Sequence, residues 1–426
     1  MKIPSEGLTR TAVFAKLEQF KKRSHMDAEG KKKVSFGAYR WMGLPEIRAL
    51  VENSAIEFLD SVPSTNSETG MREMHGEVVS MIGSLWGSNE ATGFMTSGGT
   101  ESNIIAMYVA KSMAASGKSM SRGSVVIPST ALTYFRKACT LLDLEPISVP
   151  VKEDGFTADP EKMREAVRKD TIAVVATCGI NPWGGIDPIE EIGKLAVEKS
   201  LYFHVDAAYG GMLCPFLKDA GYEIPEFGFE VKGVSSVSAD PHKTGFSICP
   251  AGILLFRESD MTKVAKWEYK TESYASLGEG LLGTRPGYPV AVTWALLNYL
   301  GRKGYTTLAR KCMQITEDFM RDLRNIPGLT TSSMPKINIA HASSSVVNME
   351  KVHKRMVEDG WYVYYHAGKP RGRDDVIWMC MYPYQESTNP GLLKELDKIM
   401  SDFTKTGAKT ESREVSAAPV GTKRRK

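Results

Sequence analysis

The 426-residue sequence predicts an α/β fold: a mainly parallel central sheet flanked by helices, followed by a smaller α+β C-terminal domain. Three observations carry that prediction. Short Val- and Ile-rich runs recur between residues 93 and 256, and their apolarity is continuous rather than alternating, as in strands buried on both faces. Amphipathic stretches separate the runs, so strand and helix alternate as a parallel sheet requires. After residue 287 this rhythm gives way to long helical patterns and shorter strand-like pieces.

Residues 1–60 precede the alternation and form an N-terminal segment. The large domain, 61–288, holds strand runs at 93–97 (GFMTS), 124–129 (SVVIPS), 171–178 (TIAVVATC), 201–207 (LYFHVDA), 234–240 (VSSVSAD) and 252–256 (GILLF). Between them lie helical patterns such as 101–113 and 187–200, the second opened by Asp187 with Glu190 three residues on, the spacing of a capping box. The region 289–403 predicts a connector helix (289–301, then 305–325), strand-like pieces near 344–349 and 376–381, and a closing helix at 390–403. The aromatic run from Trp361 to His366 suits either a pocket lining or an edge strand packing its rings.

An apolar fraction of 42% and a charged fraction of 24% exclude a disordered, collagen-like or coiled-coil chain. No apolar run reaches the ~18 residues of a membrane span, and the opening MKIPSEGLTR lacks the apolar core of a signal peptide, so a cytoplasmic protein is expected. Six Cys without a CxxC pair suggest reduced thiols, and His25, His75, His341 and His353 show no metal-ligand spacing, so no metal is expected. Of the formal charge of +4, the tail 404–426 carries +5, from seven basic residues against two acidic ones, which leaves −1 for the body. A near-neutral body argues against a nucleic-acid face, and the tail reads as a disordered, solubilising end.

Functional groups in an open α/β sheet gather at the carboxyl ends of its strands. Three predicted strand ends carry an unusual set. Ser97-Gly98-Gly99-Thr100-Glu101-Ser102-Asn103 places two glycines and hydroxyl residues where a strand turns into a helix; such a start binds phosphate through free N–H groups, although GG turns also occur as plain structure. Asp206 closes an apolar strand, where a buried carboxylate needs a cation and can meet a protonated pyridine nitrogen, a helix cap being the plainer alternative. Lys243 follows Asp240 and His242 past another strand. Alone it would read as a surface residue, but sharing this edge it reads as an amine in a partly dry, cationic pocket, with lowered pKa, able to attack an aldehyde. A phosphate cradle, a carboxylate for a ring nitrogen and an aldehyde-capturing Lys are what pyridoxal 5'-phosphate needs.

The segments TSGGTESN, HVDAAYGG, SADPHKTG and LGTRPGY, in this order, resemble the group II pyridoxal-phosphate decarboxylase and sphingosine-phosphate lyase superfamily of fold type I, over about residues 34–403. The resemblance implies that Lys243 holds the cofactor as an aldimine, that Asp206 pairs with its ring nitrogen and that Ala208 packs on one ring face. It places Gly99, Thr100 and His242 at the phosphate, with Gly98 and Thr177 among the cofactor contacts. Gly283 and Thr284 correspond to a loop that reaches a neighbouring subunit's cofactor, which implies a homodimer with shared sites.

Two subfamilies compete. The segments around 218–234 and Arg285-Pro286-Gly287 resemble sphingosine-phosphate lyases, whereas 242–256 resembles archaeal-type aspartate or tyrosine decarboxylases. The second Lys of the lyases is replaced here by Cys249, and the ring-stacking His and substrate-carboxylate Arg of the decarboxylases by Leu132 and Trp378, with Tyr134, Arg371 and Arg373 as possible substitutes. The expected function is a lyase that breaks a carbon–carbon bond at the α-carbon of a small amino substrate, with amino-acid decarboxylation (aspartate, tyrosine or glutamate type) ahead of aldehyde-lyase cleavage. A regulatory protein that kept the fold is the non-enzyme alternative.

Overall fold

The computed structural model describes residues 6–25, 34–38, 44–63, 69–115, 122–131, 133–152, 156–270, 275–332, 334–368 and 374–405. Leu132, Arg371, Arg373 and nearly all of the basic tail lie outside these residues. The helix α1 (Arg10–His25), the short strand β1 (Val34–Ser35), α2 (Pro45–Glu57) and α3 (Thr69–Leu85) lead into the alternating region. There follow β2 (Thr92–Thr96), α4 (Gly99–Ala115), β3 (Gly123–Pro128), α5 (Tyr134–Leu141), β4 (Leu144–Val149), α6 (Pro160–Ala166), β5 (Thr171–Ile180) and β6 (Gly185–Ile186). Then come α7 (Ile189–Lys199), β7 (Tyr202–Asp206), α8 (Cys214–Asp219), β8 (Ser236–Ala239), β9 (Gly252–Phe256) and α9 (Ser259–Ala265). A hairpin of β10 (Lys266–Lys270) and β11 (Ala275–Glu279) precedes α10 (Tyr288–Leu323). The C-terminal part holds β12 (Ile339–Ser343), α11 (Met349–Glu358), β13 (Trp361–Tyr362), β14 (Tyr364–His366), β15 (Val376–Cys380) and α12 (Asn389–Lys405).

The central sheet has the order β2-β9-β8-β7-β5-β3-β4, with β6 folded back on β5. Its pairs are parallel except the β5–β6 pair and those of β9, which runs antiparallel to both β2 and β8. Alternate residues of each strand point to opposite faces, and here each face has its own core. Val126, Val174, Phe203, Val205, Ile253 and Leu255 join the larger cluster, while Val125, Val175, Tyr202, Leu254 and Phe256 pack on the side of α4 and α5. By the same alternation Thr177 and Asp206, Cα partners across β5 and β7, turn toward α4 and α5. All six expected strands are present, and all but the edge strand β2, partly buried, are buried along their whole length, as continuous apolarity requires.

Three details depart from expectation. β4 was not foreseen because it lies at the sheet edge, where Glu145 and Pro146 break the apolar run. The strand expected at 344–349 lies at Ile339–Ser343, and Asn348 instead caps α11 by accepting from the Lys351 N–H. The connector α10, by contrast, breaks at Gly301 as the split between 289–301 and 305–325 anticipates, with φ of 56° and ψ of −174° outside the helical region. Asp187 does not cap a helix: α7 begins after Pro188 without a side-chain cap, and the carboxylate turns inward. The first half of α10 buries Val292 and Leu296 in the large core, and its second half buries Phe319 and Met320 in the small-domain core, so the helix ties the two together.

Candidate active site

The turn between β2 and α4 is built to expose its backbone. Gly98, at φ 146°, bends the chain, and its carbonyl accepts the first helical bond from the Ser102 N–H at 3.1 Å. The N–H groups of Gly99, Thr100 and Glu101 therefore start the helix with no preceding turn to bond. Glu101 folds back to accept from the Ser97 N–H at 2.6 Å and from the Leu281 N–H at 3.0 Å, which locks the turn to the loop before α10. A side chain would crowd this bend: a Cβ on Gly98 would stand 3.2 Å from His242 Cε1, and one on Gly99 would stand 3.1 Å from Ala208 Cβ.

Asp206 closes β7, buried at 1% exposure. Its Oδ1 accepts from the Ala208 N–H at 3.0 Å and its Oδ2 from the Tyr134 hydroxyl at 2.9 Å. Burial pushes its carboxyl above the ordinary carboxylate range, while the Ala208 N–H, the charge of Lys243 and the Tyr134 hydroxyl pull it back. Lys243 lies past β8, its Nζ 2.8 Å from Asp240 Oδ2. The same oxygen is 3.6 Å from His242 Nε2, and His242 Nδ1 accepts from the Ala251 N–H at 3.0 Å, so the ring proton belongs on Nε2. Burial pushes the His242 pKa down, which favours the neutral ring. The expectation of a cationic pocket around Lys243 is corrected here: the amine is ion-paired with a buried carboxylate, because Asp240 is directed to the same edge.

Ser97, Gly98, Gly99, Thr100, Tyr134, Asp240, His242 and Lys243 line one cavity of about 240 Å³. Ala208 backs Gly99, and Thr177, paired to Asp206, keeps a buried hydroxyl with no hydrogen-bond partner among the described residues. Gly283 and Thr284 stand exposed on the loop before α10 and do not line this cavity. Trp378 stacks on Tyr364 with ring centroids 4.1 Å apart. Sequence reasoning gave no role to two groups that the fold brings in. Asp187 is fully buried, takes the Thr177 N–H at 2.7 Å and the Ala158 N–H at 2.6 Å, and has its pKa raised to about 7 by burial. Asp240 appeared only as a neighbour of Lys243, and its Oδ1 is buried without a partner. Its place three residues before a site Lys was the one signal available.

The family model described as "Pyridoxal-dependent decarboxylase conserved domain" matches residues 64–332. The chain belongs to this family. A probable L-tyrosine/L-aspartate decarboxylase of Methanothermobacter thermautotrophicus is 34% identical over 296 residues, 69% of this chain and 79% of that one. Among solved structures, a sphingosine-1-phosphate lyase of Burkholderia pseudomallei superposes with TM-score 0.85 at 26% identity, covering 96% of this chain and 93% of that one. A glutamate decarboxylase of Lactobacillus brevis, at 17% identity, shares the fold with TM-score 0.82 over 95% of both chains. This decarboxylase is a pyridoxal-phosphate-dependent carboxy-lyase of the amino-acid decarboxylase type, and its sheet is that of fold type I.

The residues present fit the cofactor. Two buried polar atoms, Thr177 Oγ1 and Asp240 Oδ1, lack partners among the described residues; Asp240 lines the cavity beside the glycine turn, and Thr177 is the Cα partner of Asp206. The helix start offers N–H donors and a favourable dipole to a phosphate, and Lys243 offers the amine.

Proposed function

We propose that this decarboxylase acts on an L-amino acid of the aspartate, tyrosine or glutamate type, through a site built on Lys243, Asp206 and His242. In this reading Lys243 holds the cofactor aldehyde, Asp206 meets the ring nitrogen and Ala208 borders one ring face. Gly98, Gly99, Thr100 and His242 receive the phosphate, and Thr177 donates to the ring substituents. The observation that carries it is that one cavity brings the Lys243 amine, the glycine turn and the Tyr134 wall bonded to Asp206 within reach of each other.

Bound there, pyridoxal phosphate supplies an electron sink for the pair left behind when a bond to the substrate α-carbon breaks. The chain's own groups do the rest. Asp206 keeps an ionised acceptor at the ring nitrogen, Asp240 holds the Lys243 amine at the cavity floor, and His242 presents its Nε2 proton beside the glycine turn. Purified protein should be yellow and release CO₂ from at least one member of an L-amino-acid panel. Lys243→Ala should lose the colour; a variant spectrum that matches wild type would remove Lys243 from its role.

A second reading, aldehyde-lyase cleavage of a phosphorylated sphingoid base, is favoured by the 26% identity to a sphingosine-1-phosphate lyase and by the uncharged Trp378 on β15. Aldehyde and phosphoethanolamine as products would support it. The chain is further read as a cytoplasmic homodimer, with Gly283 and Thr284 serving the neighbouring subunit's site.

A further inference from the structure

We propose that Tyr134 is a positioning residue for Asp206: its hydroxyl fixes Oδ2 and helps hold the carboxylate ionised, so that the ring nitrogen of the cofactor meets an oriented anion. This rests on the reading that Asp206 faces that nitrogen. Tyr134 opens α5, on the same side of the sheet to which β7 turns Asp206, and it lines the cavity with Lys243. The carboxylate receives one donor on each oxygen, the Ala208 N–H on Oδ1 and the Tyr134 O–H on Oδ2. Each oxygen keeps a second acceptor site, so both donors fix the plane of the group without blocking it.

The electrostatics explain why a second donor matters. Asp206 is buried and its neighbours are mixed in sign. Lys243 favours the anion, while Asp240 and Asp187 oppose it, and the buried thiol of Cys178 lies close enough to interact with it. Once the Lys243 amine condenses with an aldehyde, with loss of water, it becomes an imine, a much weaker base than the amine it replaces, and its support of Asp206 is reduced. The Ala208 N–H and the Tyr134 hydroxyl are then the donors of the chain that remain on the carboxylate. A hydrogen bond to an ionised group is the stronger kind, and removing it favours the protonated acid.

The test uses the full chain and two probes: pyridoxal phosphate, and 4'-deoxypyridoxine 5'-phosphate, which lacks the aldehyde and so reads the ring contact without Lys243. Tyr134→Phe keeps the ring beside Phe135, whose centroid is 5.6 Å away. It should bind both probes about 10-fold more weakly, and the pH at which affinity falls on acidification should move upward relative to wild type. In a double-mutant cycle on the Asp206→Asn background, Tyr134→Phe should have no further effect. Wild-type affinity and pH midpoint in Tyr134→Phe would overturn the proposal, as would losses that simply add in the cycle. If Asp206→Asn itself binds both probes like wild type, the underlying assignment of Asp206 fails instead, and the two failures are told apart. Should Tyr134→Phe fold poorly, Tyr134→Leu enters the same cycle with the same expected non-additivity.

Discussion

Two buried carboxylates beside Thr177 of β5 show how one residue type takes different work from its surroundings. Asp206 has donors on both oxygens and an ammonium within electrostatic reach, so it is set up to stay charged against burial. Asp206→Ala should fold but turn over at least ~10²-fold more slowly, because the ring nitrogen loses its counter-charge; steady-state kcat on the best substrate checks this, and near-wild-type turnover would refute the assigned role. Asp187 has two backbone donors and no cation among its interactions, and its pKa rises to about 7 from the ordinary 3.8. A carboxyl that binds its proton more tightly when folded contributes stability that is complete below about pH 4 and lost as pH rises through about 7. Urea unfolding across that window should therefore show a stability slope in wild type that Asp187→Asn flattens, by up to about 1.4 kcal/mol per pH unit.

At the scale of elements, the site depends on how closely strands approach the glycine turn. β9 runs against β2 so tightly that a Cβ on Gly252 would lie 2.4 Å from Thr96 Oγ1 and 2.5 Å from Gly98 Cα. Gly252→Ala should cost about 1–3 kcal/mol of stability by overpacking and weaken cofactor binding by displacing the turn. Calorimetry and a cofactor titration read the two effects separately, and an unchanged melting temperature would mean that the turn yields freely. The same elements mark the reach of pattern reading. Strands buried on both faces announced themselves through unbroken Val and Ile, while edge strand β4, half exposed, did not. The 187–190 spacing looked like a helix cap because a capping box and a buried strand-end Asp share the same short pattern; only the chain passing at Ala158 and Thr177 drew the carboxylate inward.

For the whole molecule, the cavity of a single chain is lined without Gly283 and Thr284, which stand on an exposed loop tied to α4 through Glu101. If that loop serves a second copy, Lys243→Ala and a variant with the loop altered at Thr284 should each be inactive, yet mixing and re-equilibrating the two should restore about a quarter of the sites, since random pairing yields half heterodimers with one intact site each. No recovery in an assay of the mixture, with exchange verified by mass, would place the loop's role within its own subunit. The sequence alone determined the alternation, the glycine turn at Gly98 and Gly99, and the trio Gly99, Asp206 and Lys243 at one strand edge, because each is written in short-range pattern: period, glycine at a bend, a charged group closing an apolar strand. Only the tertiary structure decided that Asp240 would neutralise Lys243, that Asp187 would be buried and that Tyr134 would bond Asp206. The Asp187 and Tyr134 contacts join distant parts of the chain, 72 residues apart in the last case, and no local rule specifies which side chains a folded sheet will bring face to face; Asp240 and Lys243 are only three apart, but the turn after β8 sets how they meet.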